Sequence, residues 1–334
     1  MRMKRRDLLM AIALTAAFGG CPGAARPQNR QKIPRIGVLW HAANAVEEVI
    51  PRTAFLQGLQ DHGYLDGHNI ALEERFPAEQ PERFRAYANE LASLSVDIVV
   101  AAGRPSALAL HVATKTIPLV FIAVYDPIDD GLVDNLARPT GNATGLSLPD
   151  LIGKRLELFK ETFPNLSRVA LLLNSDAMDA AQRLRYIEGV QLEARALGLA
   201  INPIEVNGAA DLERAFSTID QGPATGIASA ADAMFYNERR RVGALAISRG
   251  LPMITSNPLY VTDGGALLAY GASTPAMFRR SGSYIDRLLK GAKPSDLPVE
   301  QPTIFTLSIN LATAKMLNVK IPQTILLRAE SIIE

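Results

Sequence analysis

The sequence predicts an α/β chain with two open parallel-sheet lobes joined by crossing segments. Three observations carry this. Short β-branched runs alternate with segments of helical period, and the same alternation restarts in the second half. The 334 residues, 48% apolar and 21% charged, suffice for two cores at roughly 100–200 residues per domain.

In the first half, strand-like runs stand at 35–39, 69–72, 97–101 and 118–122. Continuous apolar runs of this kind belong to parallel sheets covered on both faces. Segments 51–62, 81–94 and 105–114 between them have helical spacing. In 81–94, Phe84, Tyr87, Ala88, Leu91 and Leu94 recur at i, i+3, i+4, the stripe of a helix laid on a sheet. Residues 144–148 read as an extended crossing segment near a join at 143–150, and 151–163 as an amphipathic helix ended by Pro164. The second half predicts a strand at 168–173, a long helix at 176–197, and a strand at 200–204. A helix at 211–220, opened by Asp211 as N-cap, leads to a strand at 226–229, a helix at 237–249, and strands at 252–254 and 265–270. From Thr274 the tail adds a helix to Lys290, a linker punctuated by Pro294, Pro298 and Pro302, and a strand at 304–309. The expected division is a leader and linker over 1–33, a first lobe of 34–147 with about 273–300, and a second of about 148–272 with 301–334.

The formal charge of +1 provides no basic surplus for phosphate contacts, so nucleic acid is excluded as an expected partner. The single cysteine cannot form an internal disulfide or a cysteine-based zinc cage. The front end is different in kind. Arg2, Lys4, Arg5 and Arg6 precede an apolar run over 8–20 that ends at Cys21, the pattern of an export signal. Phe18-Gly-Gly-Cys21 resembles a lipobox, which makes Cys21 a lipidation candidate; cleavage near Ala24-Ala25 is the alternative. Arg5-Arg6 also resembles a twin-arginine signal. Either route leads to the cell envelope. Removing the leader's +3 leaves the rest of the chain at −2.

Open parallel sheets bind ligands beyond the carboxyl ends of their strands. The loops there contain Trp40 and His41, then Gly103, Arg104 and Ser106, then Tyr125 and Asp126. In the second half the equivalents are Asn174, Asp232, Phe235, Asn257 and Tyr270. Gly103-Arg-Pro-Ser106 opens a helix whose free N–H groups and guanidinium suit an anion. Asp126 and Asp232 are carboxylates suited to an ammonium group, and the aromatic residues to stacking. No G-x-G-x-x-G motif, Walker A loop or G-x-S-x-G elbow occurs. His41 is the one histidine at a site position, which leaves an acid–base enzyme using His41 and Asp126 as an alternative.

Several ordered segments resemble a known family. They include Phe55-Leu-Gln-Gly-Leu-Gln-Asp-His-Gly-Tyr64, Val99-Val-Ala-Ala-Gly-Arg-Pro-Ser-Ala107 and Leu136-Ala-Arg-Pro-Thr-Gly-Asn-Ala-Thr-Gly-Leu-Ser147. Gly153-Lys-Arg-Leu-Glu-Leu158, Tyr284-Ile-Asp-Arg-Leu-Leu-Lys-Gly-Ala-Lys-Pro-Ser-Asp-Leu-Pro298 and Glu300-Gln-Pro-Thr303 continue the match. They resemble the ABC-transporter substrate-binding proteins related to tryptophan- and tyrosine-type binders, and the likeness runs from about Arg35 to Glu334. It implies Rossmann-like lobes in a type I periplasmic-binding fold, and a monomer in the periplasm that closes on a small-molecule solute. Delivery to ABC permease subunits in the inner membrane follows, with no cofactor. The solute expected is an aromatic amino acid or a related carboxylate, and a sensory ligand-binding module is an alternative role. The resemblance also brings the 102–106 loop to a carboxylate, and Asp126 and Asp232 to an amine. Relatives often read Gly-Thr-Pro-Ala where this chain has Gly103-Arg104-Pro105-Ser106, so Arg104 implies a more acidic solute or a gatekeeping salt bridge. Asn174-Ser175-Asp176 also departs from the family's common Asn-Pro.

Overall fold

A computed structural model describes residues 33–222 and 224–334; the basic leader and the lipidation candidate Cys21 lie outside the described residues. In chain order, the first half forms β1 (Arg35–Leu39), α1 (Val49–Asp61), β2 (Ala71–Arg75), α2 (Pro81–Ser93), β3 (Ile98–Ala102), α3 (Arg104–Ala113), β4 (Leu119–Val124) and β5 (Ala143–Ser147). These strands make one parallel sheet ordered β2-β1-β3-β4-β5. The sequence 144–148, expected only to cross, is therefore a fifth strand: Gly145 lets its backbone lie close enough to Phe121 that a methyl there would collide with the Phe121 carbonyl.

The chain continues through α4 (Ile152–Thr162), β6 (Arg168–Asn174), a 3-10 turn at Ser175–Ala177, α5 (Ala180–Ala196) and β7 (Ala200–Val206). Then come α6 (Leu212–Ser217), β8 (Thr225–Ser229), α7 (Ala233–Asn237), α8 (Arg239–Ser248), β9 (Met253–Thr255), α9 (Leu259–Thr262) and β10 (Leu268–Gly271). The end of the chain adds α10 (Thr274–Leu289), β11 (Thr306–Asn310), α11 (Leu311–Met316), α12 (Gln323–Leu326) and β12 (Ser331–Ile333). The second sheet runs β12-β11-β10-β9-β8-β6-β7, parallel except for the antiparallel β10–β11 pair. The long helix expected from 176 starts later because Asp179 caps α5 in a reciprocal capping box with Gln182.

Each sheet has a core on both faces. On the first, Phe55, Phe278 and Ile285 of α1 and α10 cover one side, and Phe84, Leu91 and Leu110 of α2 and α3 the other. On the second, Leu156, Phe159 and Val190 face one side, and Phe216, Phe235 and Val242 the other. The tail helix α10 thus returns to the first sheet and lies along α1. Gly58 and Gly282 make that approach possible, since a methyl on either would strike backbone of the other helix. Crossing strands are also tied together: Ser147 donates its N–H to Glu300 O at 2.9 Å, and Glu300 donates to Gly145 O at 3.0 Å. Among the described residues no helix is long and apolar enough to cross a membrane.

Candidate functional site

The carboxyl ends of the two sheets face a cavity of about 460 Å³. Elements from both sheets line it. His41 after β1, Gly103 and Arg104 at the start of α3, and Ala123, Tyr125 and Asp126 at the end of β4 supply one wall. Tyr186 on α5, Asp232 and Tyr236 around α7, and Ser256, Asn257 and Tyr260 after β9 supply the other. A bulge in β4 between Ile122 and Val124 puts Ala123 at φ 60°, a left-handed conformation at the cavity wall. Gly103, at φ 80°, turns the chain into α3.

Of the residues expected at the site, His41, Gly103, Arg104, Tyr125, Asp126, Asp232 and Asn257 line this cavity. Five do not, each for a structural reason. Trp40 is fully buried in the first core, stacked on Phe278 at 5.6 Å and Phe76 at 6.3 Å, and its indole donates to Glu74 at 2.9 Å. Ser106 is buried and spends its hydroxyl on Trp40 O at 2.8 Å. Phe235 has no exposure and fills the second core. Tyr270 faces away, against Phe305 at 6.1 Å. Asn174 stands behind the wall: its amide contacts both oxygens of Asp232 at 3.2 Å, while its oxygen accepts from the Asp176 N–H.

The Arg104 guanidinium is paired within the protein. Its Nε donates to both oxygens of Asp130, at 2.7 and 2.9 Å, its Nη1 to the Ala177 carbonyl, and its Nη2 to Gln182 Oε1 at 3.1 Å. The guanidinium is thus bonded to groups after β4 and around the start of α5. Burial lifts the Asp130 carboxyl, although Arg104 grips it. Next to it, Arg185 reaches Asp129 at 3.0 Å and Gln182 donates to the same carboxylate at 3.4 Å.

On the opposite flank, the His41 Nδ1 lies 3.0 Å from Glu79 and its Nε2 3.5 Å from Glu48. Burial opposes a charge on this imidazole, but the carboxylates of Glu48 and Glu79 outweigh it and push its pKa up to about 9. Glu79 is set for this by its own backbone, held at φ 56° with its N–H on His41 O at 2.9 Å. Asn237 of α7 donates to the same Glu79 oxygen at 2.9 Å. The two glutamates therefore favour the charged form of His41.

Asp232 caps α7, accepting from the N–H groups of Met234 at 2.8 Å and Phe235 at 3.2 Å. Burial, with Glu79 nearby, raises its pKa to about 6. Burial likewise pushes the hydroxyls of Tyr125 and Tyr236 up to about 12 and those of Tyr186 and Tyr260 upward, so all four are neutral donors at pH 7. Asn257 joins the second sheet to the returning tail, donating to Thr274 Oγ1 at 2.8 Å.

Glu79, Gln182, Tyr186 and Asp130 were absent from the sequence expectation. The carboxyl-end rule applied to the loop after β2 would have reached Glu79, in Pro77-Ala-Glu-Gln-Pro81. Gln182 and Tyr186 are one turn apart on a helix face, a pairing that reading loops alone passes over.

The profile of ABC transporter substrate binding proteins matches residues 48–333. A tyrosine-binding protein of Clostridioides difficile is 26% identical over 269 residues, spanning 80% of this chain and 76% of that protein. A conserved domain protein from Vibrio cholerae superposes with a TM-score of 0.83 at 27% identity, covering 90% of this chain and all of that one. An ABC domain from Streptococcus pneumonia in complex with L-Trp gives 0.79 at 25% identity, covering 90% of this chain and 99% of that one. With the two sheets and the cavity at their carboxyl ends, the match places the fold in the type I periplasmic-binding class, and the chain belongs to the ABC transporter substrate-binding protein family.

Proposed function

We propose that this protein is the extracytoplasmic solute receptor of an ABC importer, exported by its leader, with Cys21 a candidate lipid attachment point. Residues 34–147 with about 273–300 act as one lobe, and about 148–272 with 301–334 as the other. The lobes close on a small organic solute with an aromatic body and an amino group, and the closed monomer presents it to the permease in the inner membrane.

The observation that carries this reading is the cavity itself: both sheets wall it, and polar side chains bridge its two sides at separate places. Arg104 with Gln182, Asp129 with Arg185, and Glu79 with Asn237 are bonds that exist only when the two sides are together. A solute touching both sides adds contacts available only to the closed form, and differential affinity of that kind shifts the population. Going from mostly open to mostly closed takes about 5.5 kcal/mol. One buried aromatic ring and one or two charge-assisted hydrogen bonds, at about 1.5–3 kcal/mol each, reach that sum. The tyrosine-binding and L-Trp-bound relatives support an aromatic amino acid as the solute class. A related aromatic carboxylate is the alternative solute, and the pairing of Arg104 with Asp130 counts against it.

A thermal-shift screen of aromatic amino acids, aromatic acids and aromatic amines, followed by calorimetry, tests the reading. It predicts one solute per chain, a raised melting temperature and no chemical change in the solute. Turnover that disappears in His41→Ala would replace the receptor with an enzyme.

A further inference from the structure

The charges around the cavity do not balance. Four cations stand at or just behind its wall, and each already faces a carboxylate. Arg104 holds Asp130, Arg185 holds Asp129, Arg155 behind the wall holds Asp150 at 3.0 Å with its buried Nε left unbonded, and His41 lies between Glu79 and Glu48 with Asp232 also within reach of its charge. Two lining carboxylates, Asp126 and Asp232, pair with no cation among the described residues. Asp126 accepts the Asp129 N–H at 3.0 Å. Asp232 accepts hydrogen bonds only from neutral groups, the two N–H groups of α7 and the Asn174 amide, with the His41 charge acting on it through space. Between these carboxylates the wall is aromatic, with Tyr125, Tyr186, Tyr236, Tyr260 and Phe278.

A solute carboxylate entering this space would be desolvated beside negative charge, and the two arginines that line the cavity are already paired with Asp130 and Asp129, which makes the placement costly. An ammonium group would instead complete Asp232, and ring faces attract cations as well. Resting on the receptor reading above, we propose that the site selects an aromatic amine: an ammonium group on a planar apolar body, with no requirement for a carboxylate. The amino acid is accepted through its ammonium and ring, and its carboxylate weakens binding.

Three probes sharing one ring separate the charges: tyramine, L-tyrosine and 3-(4-hydroxyphenyl)propionate, titrated calorimetrically into the protein purified from the cell envelope. Tyramine is expected to bind at least as tightly as L-tyrosine, and the propionate about a hundredfold more weakly than tyramine or not at all. In Asp232→Asn the α7 cap is retained, since Asn caps as well as Asp, while tyramine affinity drops about tenfold or more. Tyramine more than about tenfold weaker than L-tyrosine, or a propionate as tight as tyramine, overturns the proposal. If all three are silent while another solute raises the melting temperature, the amine assignment falls and the receptor reading stands. If no solute of any class binds, both fall.

Discussion

Arg104, at the start of α3, reaches across to Gln182, on the first turn of α5, with its Nη2 3.1 Å from the Gln182 side-chain oxygen while Asp130 holds its Nε. The bond joins elements of the two sheets, and on the proposed closure it is lost when they part. Arg104→Ala should therefore weaken solute binding mainly through faster release. A charged hydrogen bond of about 1.5–3 kcal/mol corresponds to roughly a tenfold to hundredfold loss, read as dissociation rate by stopped-flow. Unchanged release would remove Arg104 from the closing contacts.

His41 makes stability depend on alkaline pH. Its folded pKa, about 9, lies above the ordinary imidazole value of 6.5. Its contribution is fully present below about 6.5 and is lost as pH rises towards 9. The shift is on the order of 3 kcal/mol. Melting temperature should fall between pH 6.5 and 9, and His41→Gln should flatten that slope. An equally steep slope in the variant would place the titration elsewhere.

Asp232 titrates in the opposite functional sense. Its folded pKa, about 6, lies above 3.8, so the ionised form is disfavoured by folding and the ligand-free protein gains stability from this group as pH falls from 6 towards 4. Amine binding needs the ionised form. Tyramine affinity should drop about tenfold per unit below pH 6, and calorimetry at pH 5 and 7 checks it.

Much of the architecture was legible because burial on both faces of a strand leaves an unmistakable apolar run, as in Ile98–Ala102. The return of α10 to the first sheet was expected from the linker and tail, yet its close seat on α1 depends on Gly58 and Gly282, far apart in sequence. At the site, loop position alone did not separate a wall from a core. Trp40 follows β1 as expected and Phe235 falls inside α7 rather than in a loop, and the apolar bulk of both is worth more in the cores than at the cavity. Arg104 was found by position, and its role was open because a guanidinium's partner depends on Asp130 and Gln182, which only the fold brings near.

Trp40 offers a check on that separation. Trp40→Phe removes the bond to Glu74 and some packing, for a cost of about 1–3 kcal/mol. The melting temperature should fall while solute affinity stays within about threefold. A larger affinity loss in folded protein would put the indole back in the site.

Helix α10 is tested by Gly282→Ala. The added methyl meets the Gly58 carbonyl, so the two helices must part, for about 1–3 kcal/mol of stability. Chemical denaturation measures it, and no loss would mean the helices are not in this register.

The central claim is closure of two lobes around the cavity. Small-angle X-ray scattering of the purified protein, alone and with saturating tyramine or L-tyrosine, tests it directly. The account predicts a smaller radius of gyration with solute, and a weaker response in Arg104→Ala. Identical scattering curves with and without solute, in a sample whose binding calorimetry confirms, would contradict it.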